Sequence, residues 1–111
     1  MENNLPESEL PEVQINQLSF QGILLNRQPV RFSPAGIAIC EGIIGHRSWQ
    51  IENSQKRLVQ MDLPFIIVGH SLSQMVQLIK INEKIWASGF LAKKSLKSSK
   101  IIFHINELKK F

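Results

Sequence analysis

Four lysines and three serines stand within nine residues, Ala92 to Lys100 (AKKSLKSSK), and no acid lies among them. Each lysine is a compact charge on a flexible stem, able to follow a phosphate backbone without reading its sequence. The hydroxyls of Ser95, Ser98 and Ser99 can add hydrogen bonds to phosphate oxygens. Taken alone, the stretch is equally a solvated loop. A second group lies upstream. Arg47 precedes Trp49 in HRSWQIE, and Lys56 and Arg57 follow a polar Asn53-Ser54-Gln55. Trp49 sits among polar residues, where its ring can be a platform for a base; such stacking contributes roughly 1–3 kcal/mol per base. The candidate nucleic-acid contacts are therefore Arg47, Trp49, Lys56, Arg57, Lys93, Lys94, Lys97 and Lys100. Trp86 lies inside an apolar run and reads as core. Phe90 and Phe103 read as core or subunit interface.

Other chemistries find little support. His46, His70, His104 and Cys40 match no strong zinc spacing and fall on different elements, so no metal is expected. Asp62 is the sole aspartate, glycine-rich phosphate loops are missing and no Ser-His-acid set stands out. The chain reads as a binding protein with no cofactor and not as an enzyme.

Charge is distributed unevenly. The net charge is +4, yet Glu2, Glu7, Glu9 and Glu12 fall in the first 14 residues, which hold no Lys or Arg. The remainder carries 13 basic against 5 acidic residues, a net of +8, and six of the thirteen lie between Lys93 and Lys110. A compact body of that charge attracts polyanions. The first 14 residues also hold two prolines and few large apolar side chains, and read as a disordered acidic tail ahead of one domain over residues 15–111. The single cysteine fits a reducing compartment. No apolar run approaches the roughly 18 residues needed to span a bilayer, and the acidic start does not read as a signal peptide. The expected location is the cytoplasm.

The elements that must position these residues are mostly strands. Leu18, Phe20, Gly22 and Leu24 alternate with Gln17, Ser19, Gln21 and Ile23, and Val30 and Phe32 can extend that strand. Ser33-Pro34-Ala35-Gly36 is a turn. Ile37 to Ile44 is a second strand, Ile37, Ile39 and Ile43 on one face and Ala38, Cys40, Gly42 and Ile44 on the other. Asn53 to Lys56 reads as a hairpin loop, Arg57 to Met61 as a resumed strand, Pro64 as an edge or break and Phe65 to Val68 as a short buried run. Leu72, Met75, Val76 and Ile79 have helical spacing, with His70 or Ser71 as N-cap. Lys84 to Leu91, with a bend at Gly89, and Ile101 to Ile105 complete the set. This order predicts an all-β fold, a five-stranded OB-fold barrel with one short helix between strands 3 and 4. AKKSLKSSK then joins strands 4 and 5, and Asn53 to Lys56 joins strands 2 and 3. Such loops bind oligonucleotides in OB barrels.

The runs SPAGIAICEGIIGHRS, LPFIIVGH, WASGFLAKK and KIIFHINELK together resemble the primosomal replication protein N (PriB) family, bacterial relatives of the single-stranded-DNA-binding proteins. The resemblance covers residues 16 to 108. Its more specific points are the Ser-Pro-Ala-Gly turn, His46-Arg47-Ser48, Gly69-His70 and Gly89-Phe90. It implies a homodimer of OB folds without enzymatic activity that binds single-stranded DNA. It further implies contacts with the restart helicase PriA and the loader-associated DnaT, in reloading the replicative helicase at stalled forks. By the same resemblance Lys93, Lys94, Lys97 and Lys100 fall in a family binding loop and Arg47 at a basic family position. Gln55 and Gln60 stand where the family carries stacking aromatics, with Trp49 as the substitute. The alternative is a protein-interaction scaffold of the primosome with weak nucleic-acid binding; an RNA-binding OB domain is a third.

Overall fold

The computed structural model describes residues 13–111. Six strands and one helix follow in the order β1 (Leu18–Arg27), β2 (Arg31–Phe32), β3 (Ala38–Glu52), β4 (Gln55–Val68), α1 (His70–Gln77), β5 (Lys84–Lys93) and β6 (Ile101–Lys110). The sheet order is β1-β5-β6-β4-β3-β2, and pairing of β1 with β3 closes it. All pairs are antiparallel except β4 with β6. The expected five-stranded OB barrel is the observed fold, with β1, β3, β4, β5 and β6 as its staves and α1 between the third and fourth.

Alternation decides which face is inside. Ala38, Cys40 and Ile44 of β3, Leu63, Phe65 and Ile67 of β4, and Ile85 and Ala87 of β5 are buried, with Leu24, Phe103, Ile105 and Leu108 from the other staves. Val76 and Ile79 of the helical stretch cover one end of this core. Closure brings backbones close. A Cβ on Gly22 would lie 2.2 Å from the Gly45 carbonyl oxygen, and one on Gly89 would lie 1.7 Å from that of His104. The β5–β6 register slips between Ser88 and Gly89, the expected bend taking the form of a bulge.

Several boundaries differ from the sequence reading. β1 stops at Arg27 and Phe32 belongs to the separate β2, because Pro29 has no amide hydrogen to continue a ladder. The helix begins at His70, and the N-cap position is Gly69 at φ 126°, not His70 or Ser71. Met75 is largely exposed, whereas Val76 is buried. β6 runs five residues past Ile105.

The largest departure is in β3 and β4. They pair without interruption from Ile39↔Val68 to Glu52↔Gln55, and Pro64 sits inside the ladder with its side chain outward. The loop shrinks to Asn53 and Ser54, both at positive φ (51° and 63°), the geometry of the tightest hairpin turns. From Gly45 to Asp62 no residue is buried, so this part of the hairpin leaves the barrel as an arm. His46 ties its root to β1: Nδ1–H donates to the Gln21 carbonyl (2.6 Å), Nε2 accepts from Ser48 Oγ (2.7 Å), and the ring stacks on Phe20 at 4.5 Å. Neither donor nor acceptor on this ring is left for a metal. Among the described residues no three His, Cys, Asp or Glu side chains gather as ligands, and no helix is long and apolar enough to cross a membrane.

Candidate nucleic-acid interface

Residues directly opposite in an antiparallel pair share a face. On the arm, Arg47 opposes Gln60, Trp49 opposes Leu58 and Ile51 opposes Lys56. One face therefore carries Arg47, Trp49, Ile51, Lys56, Leu58 and Gln60. It continues the outer wall of the barrel, because Ile44 and Leu63, one step below, point into the core. Trp49 is 66% exposed and Ile51 70%, so apolar rings and chains stand in solvent beside two cations. This is the composition that stacks and holds a flexible polyanion.

Arg57 departs from the sequence reading. It opposes Gln50 and so lies on the other face of the arm from Lys56 and Trp49. There its Nη1 donates to Glu52 Oε1 at 2.7 Å, a pair exposed on both sides. The reason is the period of two: adjacent basic residues on a strand cannot share a face.

The lysine loop shows a second departure. Lys93 is the last residue of β5, and the loop closes through Lys94 N–H to the Lys100 carbonyl (3.0 Å) and Ser98 N–H to the Ser95 carbonyl (3.1 Å). Lys94 reaches Glu41 Oε1 at 3.6 Å, and Arg31 binds the other oxygen of the same carboxylate at 2.6 Å. The hydrogen bond from Arg31, and then the charge of Lys94, hold the Glu41 carboxyl below its usual range. Although no acid stands in the loop's own sequence, tertiary structure supplies one. Among the described residues, Lys93, Lys97 and Lys100 make no ion pair, nor do Arg47 and Lys56.

The two basic groups do not lie side by side. Glu41, which marks the lysine loop, and Trp49 are eight residues apart on β3, roughly 26 Å at about 3.3 Å per residue. The outer wall between them is the path a ligand would take from arm to loop.

Residues 16–107 match the family described as "another single-strand binding protein family". The replication restart protein PriB of Neisseria gonorrhoeae is 32% identical over 96 residues, which cover 86% of this chain and 94% of that protein. PriB of Haemophilus influenzae is 31% identical over 84% of this chain and 88% of that protein. The chain belongs to the PriB family of single-strand binding proteins. A solved PriB from Ralstonia solanacearum superposes with a TM-score of 0.78 at 26% identity, covering 87% of this chain and 98% of that one. A Plasmodium falciparum SSB in complex with ssDNA shares the fold at 7% identity, with a TM-score of 0.73 over 92% of this chain.

This PriB-family chain places Trp86 differently from the sequence reading. Trp86 is not core. Ile85 and Ala87 point inward, so Trp86 faces out, half-buried, with the Lys109 ammonium 5.1 Å from its ring centre. Lys84 and Asp62 share the outer wall, and neither is among the contacts expected from the sequence. The clue was available in the alternation Lys84-Ile85-Trp86-Ala87, which assigns faces once the strand is fixed. Phe103 is core, whereas Phe90 lies outside, stacked on His104 at 4.8 Å.

Proposed function

We propose that this chain is a single-stranded-DNA-binding accessory protein of bacterial replication restart. The observation that carries the reading is the outer face of the arm, where Trp49 stands exposed between Arg47 and Lys56 with Leu58 opposite. Trp49 stacks a base, Arg47 and Lys56 hold flanking phosphates, and Lys93, Lys97 and Lys100 hold the backbone farther along. Lys94 and Arg57 contribute less, since each already has a carboxylate partner. The solved relative that holds ssDNA supports the reading at the level of fold. Following the family resemblance, the working unit is a homodimer that bridges the restart helicase PriA and DnaT at stalled forks in the cytoplasm. Residues 15–111 form the binding domain, and the acidic segment over 1–14, of which 1–12 lie outside the described residues, is its extension.

Titration of fluorescent oligo-dT at two salt concentrations, with solution mass measured on the same sample, tests the proposal. Binding that weakens steeply with salt and a dimer mass support it; no binding at low salt rejects it. The scaffold reading has one observation in its favour. Large apolar side chains such as Phe32, Val68, Leu78 and Leu96 are more than half exposed and offer surface for protein partners. A helicase pull-down that survives nuclease, with negligible DNA affinity, selects it.

A further inference from the structure

Across four adjacent strands, Lys84 of β5, Ile23 of β1, Gly45 of β3 and Asp62 of β4 lie in register. Their neighbours Ile85, Leu24, Ile44 and Leu63 are all buried, so this row faces outward. One member has no side chain. Leu25 fills the space above the glycine, its Cδ1 2.7 Å from where a Cβ would stand, and a depression of about 570 Å³ lies beside it at the root of the arm, with Arg47 and Gln60 along one margin. It lies on the outer wall between Trp49 and the lysine loop.

Of the five acids among the described residues, Glu41, Glu52 and Glu83 each hold a basic side chain within 3.6 Å, and Glu107 of β6, like Asp62, holds none. Asp62 makes no ion pair or side-chain hydrogen bond among the described residues, although Arg47 is its diagonal neighbour across the ladder. Such diagonal positions are about 7–8 Å apart. A bare carboxylate repels a phosphate. It is, however, a strong acceptor for paired N–H donors.

Resting on the single-strand-binding reading, we propose that this depression is a nucleobase subsite that selects guanine. An unstacked guanine presents N1–H and N2–H side by side, and the two oxygens of Asp62 accept both. When a guanine enters, the guanidinium of Arg47 leaves the phosphate it holds on oligo-dT and donates to O6 and N7, the pairing that most often specifies guanine. Thymine offers only N3–H, flanked by two carbonyl oxygens that a carboxylate repels. The apolar floor of Ile23 and of Leu25, which lies over Gly45, takes the ring. The surface thus tracks backbone at its two ends and reads one base in the middle.

The test is fluorescence anisotropy at fixed salt with an oligo-dT and the same oligonucleotide carrying one central dG. The dG substitution is expected to tighten binding roughly 5-fold or more. Asp62→Asn should remove that difference, because an amide cannot accept both bonds, and should tighten plain oligo-dT by removing a charge that faces the backbone. Circular dichroism melting checks that the variant is folded. As a second probe, Gln60→Glu places a carboxylate directly opposite Arg47, competes for its guanidinium and should shrink the preference for the dG-bearing strand with Asp62 still in place. Equal affinity of the unaltered protein for both strands, or a preference that survives Asp62→Asn, overturns the subsite while leaving the DNA-binding reading intact. Failure to bind either strand overturns both.

Discussion

Replacing Lys93, Lys97 and Lys100 together with alanine should change the salt dependence of DNA binding by a calculable amount. Five of the cations assigned as DNA contacts have no carboxylate partner among the described residues: Arg47, Lys56, Lys93, Lys97 and Lys100. If each meets one phosphate, log K falls against log salt with a slope of about −3.5, at about −0.7 per contact for a single strand. Between 50 and 200 mM salt the unaltered protein then loses roughly 100-fold in affinity. The triple variant keeps two contacts, a slope of about −1.4 and a loss of roughly 7-fold. Lys94→Ala is the internal control. Its ammonium already faces Glu41 at 3.6 Å, so it should move the slope by less than one contact. The assay is oligo-dT anisotropy at four or more salt concentrations. All three loop lysines are exposed, so the melting temperature should hold. An unchanged slope in the triple variant would refute the phosphate-tracking role. A Lys94→Ala effect as large as that of the other lysines would refute the argument from ion pairing.

Trp49→Ala should weaken oligo-dT by roughly 1–3 kcal/mol with an unaltered salt slope, since stacking releases no counterions; anisotropy at matched salt reads both quantities. Gly89→Ala sets a Cβ against the His104 carbonyl oxygen and should cost about 1–3 kcal/mol of stability, read by denaturant unfolding. Glu41 ionises more readily when folded, chiefly through Arg31, so its stabilisation is complete above about pH 4.3 and is lost as pH falls through its lower folded value. Glu41→Gln should therefore flatten the fall in melting temperature on acidification below that pH. Asn16 exchanges two hydrogen bonds with the backbone of Leu91 (2.8 and 3.0 Å), which fixes the chain at residue 16 beside the end of β5. Deleting residues 1–13 should then tighten oligo-dT at low salt, and an unchanged affinity would count against competition by its glutamates.

Much of the barrel is legible in the chain because strand burial has a period of two. The alternation in Leu18 to Leu24 marks one apolar face, that in Ile37 to Ile44 separates two faces of which the structure buries the one with Ala38, Cys40 and Ile44, and Gly89 announces the bend that closure requires. The arm is not legible in this way. Past Ile44 its strands bury nothing, so hydrophobic alternation gives no signal, and Arg47, Trp49, Lys56 and Arg57 look like residues of two loop ends. Only continuous pairing with β4 makes them strand residues with defined faces, uniting Arg47, Trp49 and Lys56 and sending Arg57 to the other side.

By itself, then, the sequence determined the fold class, the basic character of the body and the place of the lysine loop between the last two strands. These follow from local period, turn chemistry and net charge. Tertiary structure decided which charges remain available. Glu41 lies more than fifty residues before Lys94 and reaches it only when the barrel closes, and Asp62 comes to stand opposite Gly45 only through strand register. Contacts between residues so far apart in the chain have no local signature, because they depend on how strands are aligned and not on what any one strand contains.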